Sequence, residues 1–273
     1  MQRRTIVFTV IATAAIVTAA GCSSSKKSSG STPTTTAAGG AGSPTSAAAV
    51  SGTITVLAAA SLKEAFTTLG KQFESDHPGS HVKLSFGASS DLAAQINQGA
   101  PADVFASASP KNMQQVVSAG GASTSTNFAK NVMEVAVPPS NPANVTSVTD
   151  LAKSSVKVAL CEPQVPCGSV AAEVFKNANI TVKPVTLEPD VKSTLSKVEL
   201  NEVDAGMVYV TDVRAAGSKV KGVVIPDDIN ASTEYPIAAL TKAPNASGAQ
   251  AFVDLVLSPA GESVLAADGF QKP

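Results

Sequence analysis

From residue 53 to the C terminus, short apolar runs rich in β-branched residues alternate with stretches whose apolar residues recur at helical spacing, and Ser, Gly or Pro marks each switch. Such alternation restricts a chain to largely parallel strands joined by crossover helices, because each crossover must return over the sheet before the next strand can pair. Residues 53–58 read as a buried strand, and an Ala-Ala-Ser turn leads into a helix carrying Leu62, Ala65, Phe66, Leu69 and Phe73. Ser61 stands three residues before Glu64, the spacing of a capping box. The unit recurs at 81–86 with a helix bearing Leu92, Ala93 and Ile96. It recurs again at 104–107, where Ser109 and Pro110 supply an N-cap and a first-turn proline. Residues 131–137 are the next strand and the expected first crossing between two lobes. Beyond it, strands are expected at 157–161, 205–210 and 220–225, helices at 168–178 and 191–201, a returning strand at 235–240, and closing helices at 247–257 and 259–268. The expected class is α/β with two lobes, each a mostly parallel sheet flanked by helices, and two crossing strands. The lobes are placed at 51–130 with 234–273, and at 131–233.

The first 50 residues are of another kind. Arg3 and Arg4 precede an apolar run, 6–20, that is short of the roughly 20 residues needed to span a bilayer but suits the core of an export signal. Ala19, Ala20 and Gly21 lead into Cys22, which resembles the lipobox of bacterial lipoproteins, although Ala19 stands where Leu is more usual. The resemblance implies a signal peptide at 1–21, lipidation of Cys22, and anchoring on the extracytoplasmic side of the membrane. An ordinary signal peptide with an unmodified cysteine is the alternative, and both export the chain. Residues 23–49 contain only Ser, Thr, Ala, Gly, Pro and Lys. That composition cannot bury enough apolar surface to offset ordering entropy, so 22–50 reads as a flexible tether with a reach of roughly 30 Å.

Four of the 20 basic residues and none of the 21 acids precede residue 50, so the remainder carries a net charge of −5. No basic stripe is available for phosphates, which argues against a nucleic-acid partner. Arg214 is the only arginine left, so an anion bound here is not held by a cluster of guanidinium forks. With Cys22 assigned to lipid, Cys161 and Cys167 remain in a chain bound for an oxidising compartment, and a disulfide closing this short loop is expected. Two buried free thiols are the alternative. A metal site is disfavoured, because neither His77 nor His81 has a ligand spacing with them.

Ligands of open α/β sheets bind at the carboxyl ends of the strands, where helix N-termini offer free N–H groups and partial positive charge. Ser61, Ser89, Ser90, Cys167-Gly168 and Val191 all fall at such junctions, and Tyr209 closes a strand. Taken singly, a serine before a helix is a cap and Tyr209 a satisfied core tyrosine.

Ala58-Ala59-Ala60-Ser61-Leu62, Phe86-Gly87-Ala88-Ser89-Ser90-Asp91-Leu92 and Gly99-Ala100-Pro101-Ala102-Asp103-Val104-Phe105 together resemble the molybdate-binding proteins of ABC importers. The likeness continues in order through Glu162-Pro163-Gln164-Val165-Pro166-Cys167-Gly168, Glu188-Pro189-Asp190-Val191-Lys192, Gly206-Met207-Val208-Tyr209 and Glu234-Tyr235-Pro236-Ile237. It implies a type II periplasmic-binding-protein fold that captures molybdate, and tungstate with it, in the cleft. It implies no catalytic residue and no cofactor, a monomer, and partners in an importer permease and ATPase. The implied oxyanion ligands are the hydroxyls of Ser61 and Ser89, the backbone amides of Cys167 and Val191, and the hydroxyl of Tyr209. Cys167 stands where relatives usually have alanine, which leaves an amide donor unchanged.

Two other readings stay open. The first is a binding protein for sulfate or phosphate; a protonated phosphate would need a carboxylate acceptor, and Asp190 and Glu162 lie near the implied ligand loops. The remote one is a serine hydrolase using Ser61 or Ser89. It lacks a Gly-x-Ser-x-Gly elbow, and its only candidate bases, His77 and His81, fall at the opposite edge of the sheet.

Overall fold

The computed structural model describes residues 50–273; the expected signal peptide, Cys22 and tether lie outside the described residues. β1 (Gly52–Ala59) runs through a single 3-10 turn (Ala60–Leu62) into α1 (Lys63–Asp76). β2 (Ser80–Gly87), α2 (Ser89–Asn97), β3 (Val104–Ala106) and α3 (Pro110–Ser118) follow. Ser109 caps α3 by accepting the Asn112 N–H, with Pro110 in the first turn. After β4 (Thr126–Val137) come β5 (Val158–Cys161), α4 (Pro166–Asn177), β6 (Thr186–Glu188) and α5 (Val191–Glu199). β7 (Ala205–Tyr209), α6 (Val210–Ala216), β8 (Lys221–Val224), β9 (Ser232–Ala239), α7 (Ala246–Leu257) and α8 (Pro259–Ala267) complete the chain.

The sheet order is β2-β1-β3-β9-β4-β7-β5-β6, with β8 also on β4. Two parallel triplets, β2-β1-β3 and β7-β5-β6, lie on either side of β9 and β4, which are antiparallel to their neighbours. β4 changes partner along its length: 126–132 pair with β9, and Met133–Ala136 pair with β7. The expected strand at 131–137 therefore begins five residues earlier. Thr126 and Asn127 are exposed at that end, which hides it from a search for apolar runs. β6 was not expected at all. It has three residues at the edge of the sheet, and Leu187 at its centre is half exposed.

Separate cores lie behind the two triplets. In the first, Ile54, Val56 and Ala58 of β1 meet Ala65, Phe66, Leu69 and Phe73, one stripe of α1. Phe66 sits 5.9 Å from both Phe128 and Phe252, in tilted and edge-on contacts. The second gathers Met133 and Val135 of β4 with Val158, Val174, Leu195, Val198 and Met207. A third cluster, with Leu57 of β1 and Phe105 of β3 against Leu92 of α2 and Met113 of α3, packs α2 and α3 on the other face of the first triplet.

Candidate functional site

β1 and β2 pair in register to Ala59 and Gly87, so both strands end at one level, and α2 starts two residues after β2. On the other side β5 ends at Cys161 and β6 at Glu188, each followed by a short turn and a helix, and β7 ends at Tyr209 and runs directly into α6. These ends enclose a cavity of about 20 Å³, lined by the 59–61, 87–89 and 165–167 segments, Ala108, Asp190, Val191 and Tyr209. One water needs roughly 10–15 Å³, so the space suits a compact group rather than an extended one. All five residues expected to bind the oxyanion line it. A groove of about 730 Å³ opens between α2, α3 and the 163–169 segment, but its walls mix polar side chains with Ala94, Ala119, Pro163 and Pro166 and include none of the hydroxyls of Ser61, Ser89 and Tyr209.

Ser61 is 4 % exposed and its Oγ lies 2.9 Å from the hydroxyl of Tyr235. The expected capping box with Glu64 does not form. Ser61 is inside the 3-10 turn, α1 starts at Lys63 without a side-chain cap, and the Glu64 carboxylate is taken by Lys192. The extra turn of 3-10 helix carries Ser61 away from the N-cap position and to the end of the sheet. Ser89, the first residue of α2, does not cap it either: its Oγ accepts the N–H of Ala108 at 2.9 Å. An acceptor contact of this kind leaves the hydroxyl hydrogen for another partner. Tyr209 is buried, and its hydroxyl has no hydrogen-bond partner among the described residues. Burial, with Tyr235 and Asp212 nearby, pushes the phenol pKa well above its ordinary value, so it remains a donor.

Cys167 and Val191 occupy the first turns of α4 and α5, where N–H groups have no carbonyl to bond within the helix. Cys161 and Cys167 form a disulfide, tying the end of β5 to the first turn of α4. Gly168 is required there, because a Cβ would lie 2.0 Å from the carbonyl oxygen of Glu162. Asp190 lines the cavity, but its Oδ1 accepts the Ser193 N–H at 2.9 Å as the cap of α5.

A charged cluster lies behind these donors. Lys192 Nζ sits 2.8 Å from Glu64 of α1 and 3.1 Å from Asp212 Oδ1 of α6, the latter without hydrogen-bond alignment. Asp212 is fully buried, and its Oδ2 accepts the Tyr209 N–H at 3.1 Å. Burial raises the Asp212 pKa although Lys192 and the Tyr209 amide oppose it. Burial alone would lower the Lys192 pKa; Asp212 and Glu64 outweigh it, and the ammonium is held charged. The sequence pointed to Glu64 only as a capping-box partner of Ser61 and to no charged cluster, since 64, 192 and 212 share no local pattern. A buried Asp three residues past Tyr209, beginning a helix, was the one available signal.

The histidines stand apart. His81 pairs with Thr53 at the far end of β1 from Ser61, and its Nδ1 contacts Glu74 at 2.9 Å. Among the described residues no three His, Cys, Asp or Glu side chains form a metal-ligand group, and no helix is long and apolar enough to cross a membrane.

Comparison with known proteins gives this geometry its context. The family described as bacterial extracellular solute-binding protein matches residues 54–271. The molybdate-binding protein ModA of Mycobacterium tuberculosis H37Rv is 40% identical over 222 residues, covering 81% of this chain and 85% of that one. ModA of Escherichia coli K12 is 35% identical over 233 residues, covering 80% and 89%. The periplasmic molybdate-binding protein of Azotobacter vinelandii superposes with a TM-score of 0.71 at 21% identity, over 81% of this chain and 99% of that structure, and shares its two-lobed fold.

Proposed function

Since the chain belongs to the bacterial extracellular solute-binding protein family, we propose that the solute it captures for an ABC importer is molybdate, with tungstate bound alongside. The observation that carries this reading is that Ser61, Ser89, Cys167, Val191 and Tyr209 line one small cavity. The three hydroxyls and the amides of Cys167 and Val191 would supply five uncharged donors to the anion. No cationic side chain lines it, and Lys192, one residue past the cavity-lining Val191, is already paired with two carboxylates. Hydrogen bonds to a charged group contribute about 1.5–3 kcal/mol each, so five supply about 7.5–15 kcal/mol, and the upper part of that range covers the roughly 8 kcal/mol of micromolar affinity together with association costs of about 4 kcal/mol or more. The N-termini of α2, α4 and α5 add partial positive charge from three directions.

Ser61 and Ser89 belong to one proposed lobe, 51–130 with 234–273; Cys167, Val191 and Tyr209 belong to the other, 131–233. Rotation about β4 and β9 would bring the two sets together around the anion. Lipidation at Cys22 and the tether of 22–50 would hold the protein, as a monomer, near its permease and ATPase. Sulfate carries the same charge but is smaller, and donors spaced for a larger tetrahedron would leave it with stretched contacts, which weaken beyond about 3.2 Å. Phosphate retains a proton at neutral pH and needs an acceptor for it; the one carboxylate that lines the cavity, Asp190, already accepts the Ser193 N–H through Oδ1.

The test is calorimetric titration with molybdate, tungstate, sulfate and phosphate side by side. The expected result is submicromolar binding of molybdate and tungstate, with sulfate and phosphate at least tenfold weaker. A preference for phosphate would overturn the reading and point to Asp190 as an acceptor.

A further inference from the structure

A buried chain of hydrogen bonds runs from Ser61 across both crossing strands. On β9, the Tyr235 hydroxyl lies 2.9 Å from Ser61 Oγ and 3.4 Å from Asn131 Nδ2, the second contact being long. On β4, Asn131 Oδ1 accepts the Val132 N–H at 3.0 Å, which fixes which way the amide faces. Its Nδ2 donates one hydrogen to Thr211 Oγ1 at 2.8 Å and has one left for Tyr235. An amide nitrogen cannot accept, so the phenol oxygen receives at that contact. Its single hydrogen then has Ser61 Oγ as its partner among the described residues.

We propose that Tyr235 is a positioning residue for the bound oxyanion: with Asn131 it commits the Tyr235 proton to Ser61 Oγ, and thereby turns the Ser61 hydrogen toward the cavity. The inference rests on Ser61 being an oxyanion ligand. Without Asn131, the Ser61 hydroxyl can donate to Tyr235 and present a lone pair to a dianion, which repels it; without the phenol, Ser61 Oγ loses the donor that fixes its rotor, and its hydrogen is no longer held toward the anion. Ser89 reaches the same polarity by another route, through the backbone N–H of Ala108. Tyr209, with no partner among the described residues, needs no such device. Tyr235 is fully buried, and burial raises its pKa against the pull of Ser61 and Asn131, so it holds its proton across the physiological range.

The experiment is a double-mutant cycle on the purified full chain: wild type, Ser61→Ala, Tyr235→Phe and the double variant, each titrated with molybdate and separately with sulfate. Tyr235→Phe should weaken molybdate binding about three- to tenfold while Ser61 is present. In the Ser61→Ala background it should change affinity less than about twofold. A packing defect would follow Tyr235→Phe into both backgrounds, so an equal loss in the two overturns the proposal, as does unchanged affinity in the single variant. Asn131→Leu keeps the phenol but removes the group that commits its proton; a smaller loss is expected, again only with Ser61 present, and a loss independent of Ser61 counts against the relay. If Ser61→Ala binds as tightly as wild type, Ser61 is not a ligand and the inference falls with it. If wild type binds sulfate but not molybdate, the molybdate reading fails while the cycle run on sulfate still decides the role of Tyr235.

Discussion

Replacing Tyr209 by Phe deletes one oxygen from a side chain that is 1 % exposed and whose hydroxyl has no partner among the described residues. A hydroxyl buried without a hydrogen bond costs about 1–3 kcal/mol, so Tyr209→Phe should stabilise the anion-free protein. A water entering the cavity would satisfy the hydroxyl in part, which favours the lower end of that range. In a domain of this size about 1 kcal/mol moves the melting temperature by about 2–4 °C, and a rise of that order is expected. Binding moves the opposite way. Losing one hydrogen bond to a charged ligand costs about 1.5–3 kcal/mol, or roughly 10- to 150-fold in Kd. Ligand stabilisation scales with RT ln(1 + [L]/Kd), so at a fixed saturating molybdate concentration each tenfold loss removes about 1.4 kcal/mol from the variant. The order of melting temperatures should therefore reverse: variant above wild type without molybdate, below it with. Differential scanning calorimetry with and without the anion reads both arms. A variant that melts lower in the absence of anion, or gains as much from molybdate as wild type does, would refute the assignment of this hydroxyl as a donor held in reserve.

Lys192→Met leaves the buried Asp212 carboxylate without its cation, and breaking a buried pair in this way costs about 3–5 kcal/mol. Because the Asp212 pKa is already raised by burial and would rise further, stability tied to its protonated form is present at low pH and lost as pH increases. Urea unfolding should show the deficit widening from pH 5 to pH 8, and a pH-independent deficit would argue against a charge effect. Glu134 on β4 is also raised by burial, its carboxyl packed over Gly222, so Glu134→Gln should be more stable than wild type at pH 8, with the gain shrinking toward pH 4. Gly168→Ala must displace the first turn of α4 or the Glu162 carbonyl, at a cost of about 1–3 kcal/mol or more. Unfolding and titration of that variant should show loss of both stability and molybdate affinity, since the same turn carries the Cys167 amide.

The strand-to-helix junctions were legible because each is written locally. Ser109-Pro110 caps α3 as its residue types require, and the apolar stripe of α1 from Ala65 to Phe73 is the one that reaches the core. The five cavity-lining residues fell at those junctions and were identified from the family resemblance, which also supplied their roles. Other features had no local signature. Ser61 and Glu64 have capping-box spacing, yet a turn of 3-10 helix intervenes, and each side chain finds a partner more than a hundred residues away. The approach of Tyr235 to Ser61 spans 174 positions, and the cluster of Glu64, Lys192 and Asp212 draws on α1, α5 and α6. β6 is too short for any periodicity to register, and the outer end of β4 is polar where it pairs with β9 near the surface.

β4 has a consequence for how the molecule comes apart. Its first residues complete the sheet behind one core and its last residues supply Met133 and Val135 to the other. Neither core can melt alone without stripping a row of ladder bonds from the half that survives and exposing apolar surface on it. Heat or denaturant should therefore dismantle both together in one cooperative transition, with matching calorimetric and van't Hoff enthalpies, and the central amides of this strand should be among the last to exchange with deuterium.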